Sequence, residues 1–296
     1  MPEVILVEAV DRVVLAVRDI AVGERIYTRM LGREPSWRHT DPGGGTSHLV
    51  YRLTNTSIEL LAPLDGGPWG RVVARHLTEK GEGVMLLYLV TPNAESAVAT
   101  LGARGLSAIA LPQGEAQYRD FHRRWRNVMI PSEFTRGLIF MLQEKLSPPS
   151  SLPLSPLRGG VSEAEAISAL DHIVLMTADA EIFKRFLGDQ LGIRLALDHS
   201  KPEWGVRQLF FRVGGVTIEV VQPLDSARAP KRDHYGGLAW KAENIGALRD
   251  RLVREGAEVS EIRVGRKKGT EVATIRPPTM GVPTLLLNNL PANAPS

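Results

Sequence analysis

The chain has 296 residues, 43% hydrophobic and 23% charged, a composition typical of a globular protein with room for two domains. Its formal net charge of +3 is too small to indicate nucleic-acid binding unless the positive charge is clustered. The absence of cysteine excludes disulfides, thiolate metal sites and a cysteine nucleophile. No apolar run is long enough to span a membrane, and the N-terminal stretch lacks the basic segment of a signal peptide, so we expect a cytoplasmic protein.

An internal repeat spans much of the chain. Residues 10–65 align with residues 170–225 at a constant offset of 160, and seventeen of these 56 positions are identical. The motif VDRVVLAVRD returns as LDHIVLMTAD, with Arg12 in the first copy where the second has His172. The motifs IELLAPLD and IEVVQPLD carry a glutamate at matching positions. The repeat predicts two related modules.

A segment rich in proline and serine separates the two copies. It reads LSPPSSLPLSPLRGG at residues 146–160 and has neither a helical nor a strand period, which is typical of an extended linker. We therefore divide the chain into an N-terminal module at 1–145, a linker at 146–168 and a C-terminal module at 169–296.

Each copy shows the same order of elements. An apolar strand (12–17 and 172–177) leads through an aspartate into an amphipathic helix that ends near a Leu-Gly pair. Three short strands follow, and a Gly-Gly pair at 214–215 predicts a tight hairpin in the second copy. A further strand, a helix (94–104 and 245–255) and more strands complete each copy. The pattern predicts an α+β fold of paired βαβββ units, which form cupped mixed sheets with helices on the outer face.

This double βαβββ pattern, with the motifs quoted above, resembles the vicinal oxygen chelate superfamily. That superfamily includes glyoxalase I, methylmalonyl-CoA epimerase, extradiol dioxygenases and the bleomycin-resistance binding proteins. The resemblance covers nearly the whole chain and implies tandem modules of this fold. It leaves the reaction open, because the same scaffold hosts many reactions.

The resemblance also implies where a metal site would lie. Family members hold a divalent cation with a His or Gln on strand one, a Glu on strand four, a His on strand five and a Glu on strand eight. The corresponding positions on strands one and four carry Arg12, Glu59, His172 and Glu219. Those on strands five and eight carry side chains without suitable donors: Leu86, Gly237, Met141 and Leu285. We therefore expect no cofactor, with a divalent metal held by His172 and Glu219 as the alternative.

Strand alternation assigns further residues to each cup. The faces that carry Glu59 and Glu219 also carry Arg52 and Arg212, as diagonal neighbours across a hairpin. We interpret Glu59, Glu219 and His172 as candidate catalytic residues. The candidate substrate-binding residues are Arg12, Arg52, Arg212, Tyr88 and Met141. For the two arginines that occur in both copies, a structural partnership with the glutamates is the competing interpretation.

Two further features are open to more than one interpretation. The run YRDFHRRWRN at residues 118–127 alternates basic and aromatic side chains. It is predicted to be a solvated strand edge, with an anionic-substrate site or a nucleic-acid site as alternatives. His39 and His199, near the ends of their strands, are predicted to be surface or turn residues.

Together these features predict a metal-free or metal-poor enzyme, a lyase or isomerase, that acts on a small carbonyl or enolisable compound. A cup glutamate would be the base, and a cup arginine or histidine would stabilise the oxyanion. The alternative is a non-catalytic small-molecule binding or sequestering protein of the bleomycin-resistance type. In both cases we expect a small-molecule ligand, no nucleic-acid or membrane partner, and a monomer or homodimer.

Overall fold

The computed structural model describes residues 5–64 and 66–290. The prediction that the N-terminal stretch is not a signal peptide rests partly on residues 1–4, which lie outside the described ranges. The elements of the first copy are β1 (Ala9–Ala16), α1 (Ile20–Leu31), β2 (Trp37–Asp41), β3 (Thr46–Arg52), β4 (Ser57–Pro63), α2 (Pro68–Lys80), β5 (Gly83–Val90), α3 (Ala94–Ala103), β6 (Ile109–Ala110), β7 (Gly114–Tyr118), β8 (Phe121–Ile130) and β9 (Ile139–Lys145).

The described residues of the second copy repeat this order without counterparts of α2 and β7. Its first helix, α4, continues directly as π-helical turns over Lys184–Gln190. None of the helices in the described ranges is long and apolar enough to cross a membrane. The elements are β10 (Ile167–Met176), α4 (Ala180–Phe183), β11 (Arg194–Lys201), β12 (Val206–Val213), β13 (Val216–Pro223), β14 (His234–Ala242), α5 (Ile245–Arg254), β15 (Arg263–Val264), β16 (Thr270–Ile275) and β17 (Thr284–Asn289).

Each copy forms one mixed sheet. The strand order is β2-β3-β4-β1-β5-β9-β8-β6 in the first, with β7 paired to β8, and β11-β12-β13-β10-β14-β17-β16-β15 in the second. The matching orders confirm the predicted α+β fold of paired βαβββ units. Parallel pairing joins β5 to β9, β10 to β13 and β14 to β17, whereas the hairpins are antiparallel.

The helix boundaries follow from local sequence. Asp19 accepts hydrogen bonds from the first amides of α1, and Asp179 does the same for α4. These are the aspartates that the repeat places at both helix starts, and an aspartate at this position satisfies amides that lack a helical partner. Helix α1 ends at Gly32, which has a φ of 68° that glycine adopts without strain.

Contacts divide the described residues into two compact units, and each unit draws on both copies. The first unit comprises Met1–Val14, Met85–Leu152 and His172–Gly236. The second comprises Leu15–Val84, Pro153–Asp171 and Gly237–Ser296. The sheets therefore follow the two copies of the sequence, whereas the packed units do not. The predicted module boundaries remain a division of the sequence.

Aromatic side chains pack inside both units. In the first unit, Phe140 and Phe186 are fully buried and meet edge to face with ring centroids 5.1 Å apart. In the second, Tyr51 is fully buried and its hydroxyl lies 2.7 Å from Thr28 Oγ1 on helix α1. Such rings contribute much of the apolar area that folding removes from water.

The predicted linker contains two 3-10 turns, Pro149–Ser151 and Glu163–Glu165, and its later part packs within the second unit. Ser155 is 1% exposed, and its amide donates to the Arg52 carbonyl at 2.9 Å. The buried Arg33 donates to the carbonyls of Ser155 at 3.1 Å and Ile167 at 2.8 Å. Strand β10 begins at Ile167, inside the predicted linker. Composition identified an irregular segment correctly but could not show that hydrogen bonds hold it in place.

Candidate active site

Glu219 lies on β13 in the first unit, on the face opposite the core residues Ile218 and Val220. Its backbone pairs with Phe210 on β12 and with Val174 on β10. The predicted pairing across the Gly-Gly turn is therefore confirmed. The Glu219 residue is only 9% exposed, so its carboxylate needs hydrogen-bonding partners.

Two side chains meet the Glu219 carboxylate from neighbouring strands. Gln208 Nε2 donates to Oε1 at 2.5 Å. His172 Nε2 lies 3.5 Å from Oε2. One carboxylate oxygen is thus held by a neutral amide, and the other faces a group that can carry a proton. Of the predicted catalytic residues, the structure brings these two, His172 and Glu219, together.

His199 extends this row of side chains, and it is a half-buried strand residue rather than a turn residue. It lies within β11, directly across from Gln208. Its Nε2 is 3.3 Å from Gln208 Oε1, and its ring meets Phe210 edge to face at 5.8 Å. Counting side-chain alternation outward from Glu219 through two hairpins would have placed His199 on this face.

The second unit holds a related arrangement around Glu59 on β4. His48 Nδ1 lies 2.6 Å from Glu59 Oε1, and His48 Nε2 lies 2.8 Å from Thr46 Oγ1. With Glu59 ionised and the imidazole neutral, Nδ1 donates to the carboxylate and Nε2 accepts from the threonine hydroxyl. The sequence analysis missed His48, although it occupies the position of Gln208 at the repeat offset of 160.

His39 lies beside this pair, directly across from His48 in the β2–β3 hairpin. The two rings are 5.8 Å apart. Burial lowers the pKa of His39, and the neighbouring His48 lowers it further. His39 is therefore a half-buried strand residue on the Glu59 face rather than a turn residue.

Arg12 is buried in the first unit, where three groups surround its guanidinium. Its Nε lies 3.1 Å from Asp11 Oδ2, and its central carbon lies 4.3 Å from the centre of the Tyr88 ring. The Gln143 side-chain amide lies 2.9 Å from Nη2, and its oxygen accepts there when the amide is oriented with that oxygen toward the guanidinium. Two of the predicted substrate-binding residues, Arg12 and Tyr88, are therefore brought together. The predicted role of Arg12 in substrate binding stays a prediction.

Asp11 gives this cluster a pH dependence. Its burial alone would raise the pKa, but Arg12, Lys145 and Arg123 outweigh that effect and hold the pKa of Asp11 below its ordinary value. A lowered folded-state pKa stabilises the fold above the ordinary carboxyl range, and this contribution disappears as the pH falls through the folded value.

We expect Asp11→Asn to lower the free energy of unfolding at pH 7 by about 2 kcal/mol, because it removes a buried charge-assisted hydrogen bond. The difference from wild type should shrink as the pH is lowered toward the acid limit of folding. Urea unfolding at a series of pH values measures both quantities. A difference that does not change with pH would contradict the assignment.

Arg52 and Arg212 occupy the predicted register but not the predicted contacts. They pair with Ser57 and Thr217, on the same faces as the glutamates. Among the described residues, however, no ion pair joins either arginine to its glutamate, and Arg212 is exposed. The side chains that contact the two carboxylates are instead His48 at Glu59 and Gln208 at Glu219. These shorter side chains are the diagonal neighbours of the glutamates on the side away from the arginines. A role in substrate binding for either arginine stays a prediction.

Met141 pairs with Tyr88 across β5 and β9 and is fully buried. It supports the face on which Tyr88 and Arg12 meet. Its contact with a substrate stays a prediction.

The residues present do not fit the metal site that the resemblance implies. At the corresponding positions of the first unit, Leu86 and Met141 offer no hard donor, and Arg12 is itself a cation. His172 and Glu219 supply two donors, fewer than a stable site needs. Within residues 5–64 and 66–290, no group of three or more histidine and acidic side chains is arranged to hold a metal ion.

Comparisons with known proteins agree with this fold. A family model described as a glyoxalase-like domain matches residues 10–166. A second, described as the glyoxalase/bleomycin resistance protein/dioxygenase superfamily, matches residues 171–274. The chain therefore belongs to this superfamily, which is the vicinal oxygen chelate superfamily, and contains two of its modules.

Similar individual proteins include enzymes of several kinds. An ethylmalonyl-CoA/methylmalonyl-CoA epimerase from Cereibacter sphaeroides is 28% identical over 100 residues, which are 31% of this chain and 75% of that protein. A mutant of 4-hydroxymandelate synthase from Streptomyces coelicolor superposes with a TM-score of 0.73 at 14% identity, covering 98% of this chain and 95% of that one. A Mn(II)-bound glyoxalase from Novosphingobium aromaticivorans gives 0.63 at 14% identity, covering 97% and 83%. The two structures show the fold alone, and the relatives as a group support an enzyme.

Proposed function

We propose that this protein is a lyase or isomerase that moves a proton on a small carbonyl or enolisable compound without a bound metal. The observation that carries the proposal is the arrangement at Glu219, where Gln208 holds one carboxylate oxygen and the other faces His172. A buried carboxylate with one oxygen committed and one directed at a proton carrier is suited to general acid–base chemistry.

The proposed steps use only this chain's own groups. Oε2 of Glu219, the oxygen that faces His172, takes a proton from the carbon next to a carbonyl. The electron pair of the broken C–H bond moves through the new C=C bond onto the carbonyl oxygen. His172 stabilises the resulting oxyanion by donating a hydrogen bond from Nε2. Return of a proton to the opposite face of that carbon, or to a different atom of the enolate, gives an isomer, whereas departure of a leaving group with its electron pair from the neighbouring carbon gives an elimination product.

The similarity to an epimerase supports the isomerase form of this proposal. The alternative, a binding protein without chemistry, is favoured by one observation. The partners around Glu219 and Glu59 already satisfy much of the hydrogen bonding of the two carboxylates, as in an inherited structural network. The two functions differ in whether the ligand is recovered unchanged.

Exchange of carbon-bound hydrogen for deuterium tests the proposal. A panel of 2-oxo acids, 2-oxoaldehydes and 2-substituted malonyl thioesters is incubated with the protein in D₂O and followed by proton NMR. We expect at least one compound to lose its α-proton signal only in the presence of protein. Dialysis against EDTA, with metal content checked by mass spectrometry, should leave the rate unchanged.

Other outcomes would overturn the proposal in different ways. Loss of exchange after EDTA treatment, with recovery on adding one metal, would indicate a metal-dependent enzyme. A compound that binds tightly but is recovered without exchange or conversion would favour the binding protein.

A further inference from the structure

His199 lies near the proposed base, yet the proposed steps give it no role. It is on β11, the strand that ends the order of the second sheet, and it lies across from Gln208 on β12. Gln208 in turn contacts Glu219 on β13. All three residues belong to the first unit. The three side chains therefore form one row that leads from the end of the sheet to the carboxylate.

The chemistry of this row fixes the direction of its hydrogen bonds. An ionised carboxylate only accepts, so Gln208 must turn Nε2 toward Glu219, and these two groups are 2.5 Å apart. The amide oxygen of Gln208 then points to His199, whose Nε2 lies 3.3 Å away, a weak hydrogen bond. Because an amide oxygen also only accepts, Nε2 of His199 must carry a proton.

An apolar contact holds the ring of His199 in this place. The ring meets Phe210 edge to face, with centroids 5.8 Å apart and planes at 85°. Aromatic pairs favour this geometry. Phe210 pairs directly with Glu219, so the ring that supports His199 is on the same face as the carboxylate. Nε2 of His199 is thus directed at the amide by packing as well as by its hydrogen bond.

The direction of the row decides which oxygen of Glu219 receives a proton. Oε1 already accepts from Gln208, so a proton from a substrate binds more readily at Oε2, which faces His172. Once Glu219 is protonated, the charge that attracted the amide nitrogen is gone. A rotated amide would then accept from the acid and retain its proton. His199 opposes this rotation, because it would bring the amide N–H groups against Nε2–H.

The first copy holds its glutamate in a comparable way, with different groups. There His48 contacts Glu59, and Thr46 Oγ1 lies 2.8 Å from the other ring nitrogen of His48. In the second copy the position of Thr46 is filled by Val206, which has no hydrogen-bonding side chain. His199 supplies the missing contact from the neighbouring strand. In both copies, the side chain that holds the glutamate is itself held from its far side.

We propose that His199 is a positioning residue of the Glu219 site. Its Nε2–H keeps the amide of Gln208 in the orientation that occupies Oε1 of Glu219. Proton transfer is thereby directed to Oε2, the oxygen that faces His172. This role rests on the proposed function, because it assigns a part in that reaction to a residue that acts through Gln208.

Deuterium exchange by single variants tests this role, with the compound that the wild type exchanges fastest. His199→Phe keeps an aromatic ring against Phe210 but removes the donor. We expect its kcat to fall about tenfold, the size of one lost neutral hydrogen bond, with KM unchanged. His199→Gln retains an N–H donor and should recover most of the rate. His122→Phe is the matched control, because the His122 side chain is 52% exposed on β8, and it should exchange at the wild-type rate.

A double variant tests whether His199 acts through Gln208. In a protein that carries Gln208→Leu there is no amide to orient, so adding His199→Phe should change the rate no further. Two effects that multiply would mean that the residues act independently, against the proposal. A wild-type kcat in His199→Phe would also overturn it. A lower rate in His199→Gln than in His199→Phe would assign the effect to packing of the ring instead.

A measurement on the wild-type protein separates this role from the proposed function. Long-range proton–nitrogen correlation spectra show which ring nitrogen carries the proton, at a pH where the imidazole is neutral. We expect His199 in the Nε2–H form, and we expect Gln208→Leu to weaken that preference. The Nδ1–H form in the wild type would refute the positioning role even if the protein exchanges substrate protons. The Nε2–H form without exchange of any compound would refute the proposed function, and the positioning role with it.

Discussion

Replacing Glu219 by glutamine is expected to lower the proton-exchange rate by about 10³-fold, the size of a typical general-base contribution. The amide oxygen of the new side chain can still accept from Gln208, so the local hydrogen bond that positions it is retained. What disappears is the ability to take up a proton at the atom that faces His172. The rate of α-proton loss in D₂O, measured by NMR, gives the effect directly.

The matched control for this variant is Glu203→Gln. The Glu203 side chain is 58% exposed and precedes β12, so the same chemical change is made outside the candidate site. We expect it to exchange at the wild-type rate. If Glu219→Gln also kept the wild-type rate while Glu59→Gln lost it, the base would be Glu59. If both glutamate variants kept full activity, proton transfer by either residue would be ruled out.

Replacing Arg251 by methionine is expected to lower the free energy of unfolding by about 3 kcal/mol, because it leaves several buried carbonyls without donors. Arg251 on α5 is 2% exposed and lies wholly within the second unit. It donates to the carbonyls of Glu165 at 2.8 Å, Arg29 at 2.6 Å and Met30 at 3.1 Å. Arg29 and Met30 are in the last turn of α1, where carbonyls have no helical partner.

Urea unfolding followed by circular dichroism measures this loss. Arg254→Met is the control, because Arg254 lies one turn further along α5 and its side chain is 63% exposed. Its single ion pair with Glu165 should contribute less than about 1 kcal/mol. Equal losses in the two variants would show that the carbonyl contacts of Arg251 add nothing to its packing.

Most of the helices and the hairpins could be predicted because their signals are local, whereas α2 (Pro68–Lys80) lies where no helix was predicted. The helix predicted at 94–104 is observed at Ala94–Ala103, and that predicted at 245–255 is observed at Ile245–Arg254. The face of Glu219 followed from strand alternation and the Gly-Gly turn. These features depend on neighbours within a few residues, which a single sequence contains.

The hydrogen-bonding partners of the glutamates could not be predicted in the same way. Strand alternation allows Arg212 and Gln208 equally as diagonal neighbours of Glu219, and charge complementarity favours the arginine. The structure places the amide there, because the shorter side chain reaches the carboxylate within the sheet while the arginine extends toward solvent. The contacts of Arg33 and Arg251 likewise join segments far apart in the sequence, and no local signal marks them.

The division of the chain into two units has a consequence for how such a protein can change. A genetic break within 146–168 separates the two copies, yet it removes from each unit a part that the other copy supplies. Losing or exchanging one copy as a block would therefore expose packed surface in both units at once. The two copies are therefore expected to be inherited together. We expect differences between them, such as Arg12 in one and His172 in the other, to arise by single substitutions rather than by replacement of a whole module.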